Sequence, residues 1–155
     1  VGAVNVYVTE EGYEPTATVR FRVAAEGRWE PAPQGSKKSV GRGRMIESSK
    51  YLKPWREKVI EASAKVLADQ CDGVTFDGSL SVDLVFHMHR GKSVRRPWPC
   101  VAPDLDKLVR GVLDGLTQGG LIADDSRVTV LSAGKLYANA ESGQGVLITI
   151  RKVIP

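Results

Sequence analysis

The chain has 155 residues and a formal charge of +4, long enough for one domain spanning 1–155 with a core that needs no covalent staples. Apolar residues at 42% and charged residues at 26% are ordinary for a water-soluble globular protein. Two cysteines, Cys71 and Cys100, exclude a disulfide framework or a four-ligand zinc site. The absence of a signal-peptide pattern or an apolar run of membrane-spanning length points to the cytoplasm, with no membrane partner.

Residues 18–24 alternate Val19, Phe21 and Val23 with Arg20 and Arg22, the period of a half-buried strand. Residues 27–50 are rich in Gly, Pro, Ser and basic side chains without periodicity and read as a long mobile loop; residues 1–17 are expected to be irregular as well. Pro54 marks the first turn of a helix. Trp55, Val59, Ala62 and Val66 follow at helical spacing, and the helix is expected to stop near Asp69, before the Asp72-Gly73 turn. A second strand follows, in which Leu80, Val82, Leu84, Phe86 and Met88 alternate with Ser81, Asp83 and His87. His87 and His89 read as surface or sheet-edge residues rather than metal ligands.

Residues 90–103 are basic and Pro-rich and read as loop. Then Leu105, Leu108, Val109, Val112, Leu113 and Leu116 set out a helical apolar stripe, which Gly119-Gly120 ends. Strands at about 127–136 and 145–152, split by the polar turn 139–143, complete a β-α-β-α-β-β order. That order predicts an α+β fold, a small mixed sheet covered by two helices.

Five aspartates, Asp104, Asp106, Asp114, Asp124 and Asp125, fall within 22 residues. Like charges oppose one another's ionisation unless a cation sits among them, and Mg²⁺, a hard ion that takes oxygen ligands, is the usual compensator. Each aspartate also has a plain structural reading. Asp104 suits a helix N-cap, and Asp106 suits a first turn. Asp114 can pair with Arg110 one turn earlier, and Asp124-Asp125 can be a simple turn. The Asp-x-Asp spacing alone also serves nucleotide-sugar transferases.

Positive charge is clustered. Residues 37–58 carry eight Lys/Arg against two Glu, and residues 90–96 add four more cations. Such clusters attract polyanions, nucleic acid first.

The combination resembles the RusA family of Holliday junction resolvases. The residues that carry the likeness are Asp104-Leu105-Asp106-Lys107, then Arg110, Asp114, the run Asp124-Asp125-Ser126-Arg127-Val128, and Lys135 in the following strand. The basic stretch at 33–38 and the helix start at 53–59 are similar to the family's first loop and helix. Lys107 stands where the family has Asn, and Arg110 where it has Lys. Arg keeps the charge but not the compact ammonium geometry.

The resemblance implies a Mg²⁺-dependent endodeoxyribonuclease, with Mn²⁺ as a substitute, that resolves four-way DNA junctions as a homodimer and comes from a phage or prophage. It implies Asp104, Asp106 and Asp125 as metal ligands, with Asp124 as a fourth ligand or an orienting group. Arg110 and Lys135 would neutralise the scissile phosphate. Lys37, Lys38, Arg42, Arg44, Lys53, Arg56, Arg95, Arg96 and Lys107 would hold the DNA arms by their backbones, giving salt-dependent affinity without base readout. The rival readings are a non-catalytic DNA-binding protein, which leaves the aspartates unexplained, and another Mg²⁺-dependent phosphotransferase. The chain has no Gly-rich phosphate loop to support the second rival.

Overall fold

A computed structural model describes residues 17–35, 38–39, 45–46 and 50–153. Its elements run β1 (Thr18–Ala24), β2 (Lys38–Ser39), β3 (Met45–Ile46), α1 (Leu52–Gln70), β4 (Leu80–Met88), α2 (Leu105–Gln118), β5 (Val128–Tyr137) and β6 (Gly145–Lys152), with a 3-10 turn at Asp125–Arg127 before β5. The α+β class and the β-α-β-α-β-β order are those expected from the sequence. Within the stretch expected as one loop, β2 and β3 pair as a separate antiparallel ribbon.

The main sheet has the order β1-β6-β4-β5. β6 runs antiparallel to both β1 and β4, whereas β4 and β5 are parallel. Parallel neighbours cannot be joined by a hairpin and need a long crossover, and α2 supplies it. The acidic stretch of the sequence is therefore the crossover itself.

Period-two alternation puts Leu80, Val82, Leu84, Phe86 and Met88 of β4 on one face with Val146, Ile148 and Ile150 of β6. These residues form one buried cluster with Trp55 and Val59 of α1 and Leu108, Val112 and Leu116 of α2. β4 lies between β6 and β5, so its other face is also largely shielded, and Ser81 and His87 are buried. This corrects the surface reading of His87. Burial first, then the nearby Arg22 charge, holds its imidazole below the ordinary pKa, so it stays neutral. His89, one residue past the strand, is exposed as expected.

The two helices come close because α2 carries Gly115 and ends at Gly119, its C-cap. A Cβ on Gly115 would lie 2.5 Å from Val59 Cγ1, and one on Gly119 would lie 2.6 Å from Ser63 Cβ. Neither position has room for a side chain without pushing α1 away. The segment 30–35 is fastened rather than loose. Pro31 and Ala32 are buried, Lys58 Nζ donates to Glu30 Oε2 at 2.6 Å, and Gln34 N–H donates to Lys107 O at 2.9 Å. No helix among the described residues is long and apolar enough to cross a membrane.

Candidate active site

A groove of about 620 Å³ runs between α2 and β5, lined by Leu105, Asp106, Val109, Arg110, Leu113, Asp125, Leu131 and Ala133. Helical spacing creates its polar wall, because Asp106, Arg110 and Asp114 succeed one another at intervals of four. Asp106 and Arg110 are exposed, and neither has a hydrogen-bond or ion-pair partner among the described residues. Among the described residues nothing neutralises or occupies these two groups, which leaves both open to a ligand on that side.

At the far end, the 3-10 turn lifts Asp125 back against α2. Thr117 Oγ1 donates to Asp125 Oδ1 at 2.5 Å, and the Asp114 carboxyl is within hydrogen-bonding reach of Asp125. Burial, and after it the Asp114 and Asp124 carboxylates, raise the Asp125 pKa, against a lowering by the Thr117 hydrogen bond. Asp125 therefore favours holding a proton, as a half-buried carboxyl beside other carboxyls does.

A chain of bonds fixes Asp114 from behind. Arg56 Nη2 donates to Gln34 Oε1 at 2.7 Å, and Gln34 Nε2 donates to Asp114 Oδ2. The amide thus turns its oxygen to the guanidinium and its N–H to the carboxylate. The Arg110–Asp114 pair suggested by their spacing does not form, and Asp114 is held by Gln34, eighty residues away in sequence. Gln34 and Thr117 were not foreseen as site residues. The only local signal for them was a polar residue beside Pro33 and one on the aspartate face of the helix.

Two of the aspartates expected beside Asp106 face elsewhere. Asp104 occupies the N-cap position without capping the helix. Its Oδ2 lies 3.2 Å from Lys107 Nζ, and it borders a different cavity, on the side of Trp29 and Pro103. Asp124 accepts from Ser126 N–H at 2.9 Å, and the Ser126 hydroxyl and N–H together hold its carboxyl below the usual range. Asp106 and Asp114 are two helical turns apart, roughly 12 Å of rise. Consistent with that spacing, no three acidic, His or Cys side chains among the described residues converge on one point.

The donor set still suits a hard divalent cation. Every candidate ligand is a carboxylate oxygen, and the Asp114–Asp125 repulsion is what such an ion relieves. Mg²⁺ commonly takes only one or two protein carboxylates and completes its shell with water and substrate phosphate.

The cations expected to hold DNA are dispersed. Lys37, Arg42 and Arg44 lie outside the described residues, and Lys38 is placed only by its backbone in β2. Lys53 is exposed on α1, whereas Arg56 is half-buried and engaged with Gln34. Arg95 and Arg96 are exposed, and the Arg96 guanidinium lies 5.8 Å from the Tyr137 ring centre. Lys135 Nζ donates to Val101 O at 2.6 Å and Pro103 O at 2.7 Å. It pins the loop that delivers Asp104 to the start of α2.

Two carboxylates and a guanidinium without a partner among the described residues line one open groove, on a chain with excess positive charge, an arrangement suited to a phosphodiester backbone. The family profile described as Endodeoxyribonuclease RusA matches residues 12–151, and the chain belongs to that family. Membership implies endonuclease activity on DNA and the resolution of Holliday junctions. A search of curated proteins finds no match to the chain.

Proposed function

We propose that this protein is a Mg²⁺-dependent, structure-selective endodeoxyribonuclease that resolves four-way junctions by paired symmetric nicks, encoded by a phage or prophage. The observation that carries the reading is the sharing of one groove by Asp106, Arg110 and Asp125 in a chain of the RusA family. The non-catalytic alternative gives the crowded Asp114–Asp125 pair nothing to do.

Asp125, with Asp114 beside it, would hold one metal ion, and Asp106, about two helical turns along the groove, would offer a carboxylate to a second. Mg²⁺, or Mn²⁺ in its place, would supply Lewis acidity toward the scissile phosphate and a water of lowered pKa. Arg110, which has no ion-pair partner among the described residues and stands between the two acidic stations, offsets charge on the phosphate oxygens. Arg56 and Gln34 orient Asp114, and Thr117 orients Asp125, so neither carboxyl is free to rotate away. Exposed cations such as Lys53, Arg95 and Arg96 would bind the arms through phosphates, without base readout. One groove makes one nick. Two opposed nicks are met most simply by a homodimer with two-fold symmetry.

The test is incubation of the protein with labelled four-way junction and with linear duplex, each in Mg²⁺ and in EDTA. Cleavage confined to the junction in Mg²⁺ is expected, along with sedimentation at about twice the 16.8 kDa chain mass. A junction bound but uncut in either metal ion would leave only a DNA-binding protein.

A further inference from the structure

A second groove opens on the other side of the α2 start. Two adjoining cavities of about 430 and 450 Å³ share Arg28, Trp29, Met88, Ala102 and Pro103 in their walls. Each falls within the roughly 300–1,000 Å³ of sites that enclose small organic groups. One wall is the 28–35 segment, and the other is the end of the 90–103 loop. Trp29 is 53% exposed although it stands at the centre of this groove, and Val101 of the facing wall is 45% exposed. A cluster of large exposed apolar side chains marks a binding surface more often than chance.

The chemistry of the groove selects its occupant. The Trp29 ring stacks on Tyr51 with centroids 5.5 Å apart and planes 18° from parallel. The Arg28 guanidinium lies 5.0 Å from the Trp29 ring centre. The cations Arg28, Arg96, Lys107 and Lys135 face a single lining carboxylate, Asp104, which Lys107 already accompanies. Flat π-surfaces beside fixed positive charge suit a nucleotide with its base exposed and its phosphate close by. A base stacked within a duplex has no free face to offer.

We propose that this groove binds an unpaired nucleotide of a DNA strand, with its base against the Trp29–Arg28 platform and its phosphate toward Lys107 and Arg96. The groove ends at Asp104, two residues before Asp106, so such a nucleotide would lie next to the strand entering the acidic groove. Unpairing costs least where stacking is already interrupted, as at a branch point. The groove would therefore favour branched over linear DNA. This inference rests on the nuclease reading for the choice of DNA as ligand, and extends it by naming the structural feature recognised.

The experiment uses the full chain in EDTA, where nothing is cut. Binding of labelled oligo(dT) and of a duplex of equal length is followed by anisotropy for the wild type, Trp29→Ala and Trp29→Phe. Loss of one base–aromatic stack should weaken oligo(dT) binding by Trp29→Ala roughly 10-fold. Trp29→Phe should recover much of it, and duplex affinity should hardly change. Trp55 is fully buried and Trp98 lines neither cavity, so quenching of tryptophan fluorescence by oligo(dT) in a Trp98→Phe chain would report Trp29 directly, even if the alanine variant folds poorly. Unchanged oligo(dT) affinity in Trp29→Ala together with no quenching overturns the proposal. So does an equal loss on single strand and duplex. If Trp29→Ala instead turns a dimer into a monomer with oligo(dT) binding intact, the groove is a subunit contact and the proposal fails. Failure of the wild type to cut junctions in Mg²⁺ would refute the nuclease reading without touching this result.

Discussion

Asp104 and Asp106 are two residues apart, yet they open onto different grooves. Asp106 faces a largely apolar groove between α2 and β5 that also holds Asp125 and Arg110, the latter without a partner among the described residues. Asp104 faces a groove of aromatic and cationic side chains, with Lys107 at 3.2 Å. One helix start thus divides the molecule between a region poor in positive charge, able to gather cations, and a region rich in it, able to receive the strand. An Asp-x-Asp pair read as a single ligand set hides that division, because residues i and i+2 on a helix point roughly opposite ways.

The sharpest way to break this contrast is to neutralise the two aspartates separately. Asp106→Asn and Asp125→Asn should each lower junction cleavage by roughly 100-fold or more, the scale of a lost transition-state electrostatic contact. Junction binding in EDTA should persist or tighten, since negative charge has left a DNA-facing groove. Asp104→Asn should cost far less. Single-turnover cleavage of labelled junction by the three variants gives the comparison. An Asp104→Asn loss as deep as that of Asp106→Asn would mean that DNA draws both carboxylates into one site.

Much of the fold was legible in the sequence, for a physical reason, while the division between the two grooves was not. Apolar periodicity is local, so β4, α2 and the two final strands could be placed from the spacing of Leu, Val and Ile, and the acidic helix start from its own residues. What escaped depends on contacts across the chain. His87 is buried because β6 and β5 flank β4, and strand order is not written in β4. Gln34 meets Asp114 across eighty positions because residues 30–35 are fastened against α2, with Gln34 N–H bonded to Lys107 O. Gly115 and Gly119, in turn, let α1 approach α2. That glycine spacing was visible, but its meaning depends on the helix opposite. The family resemblance gave Lys135 a phosphate-neutralising role, and the register of β5 adds what the sequence did not show, its hydrogen bonds to the carbonyls of Val101 and Pro103.

Next in size is the arginine between the acidic stations. Arg110→Ala should slow cleavage roughly 10-fold or more if its task is to offset phosphate charge. Arg110→Lys, which restores the family's usual residue, should keep much of the rate. If the lysine variant is as slow as the alanine variant, the guanidinium fork itself is required. Rates measured at saturating junction separate this from any loss of affinity.

The acidic groove should also respond to pH in a way the aromatic groove does not. The folded pKa of Asp125 lies above its unfolded value of about 3.9, because of burial and the Asp114 and Asp124 carboxylates. Stability from holding that proton is complete below the unfolded value and is lost as pH rises through the folded one. A divalent cation favours the ionised form, so the Tm gained on adding Mg²⁺ should grow with pH across that window. Asp125→Asn should flatten both trends. Thermal melts with and without Mg²⁺ over a pH series decide it, and a Mg²⁺ gain independent of pH would remove Asp125 from the metal site.

The smallest expected effect lies at the boundary between the grooves. Lys107 occupies the place of the family's usual Asn, and its Nζ lies near the Asp104 carboxylate in a pair that is partly exposed on both sides. Such a pair contributes at most about 1 kcal/mol, so Lys107→Asn should leave Tm nearly unchanged. Junction affinity should fall modestly at low salt. A lysine that contacts a phosphate by itself would lower the salt slope by about 1 when removed, and because Asp104 shares the charge of Lys107, the change should be smaller. A full unit would show that DNA pulls Lys107 off Asp104. The freed carboxylate could then turn toward Asp106, so a measured slope would reveal whether the division between the grooves survives substrate binding.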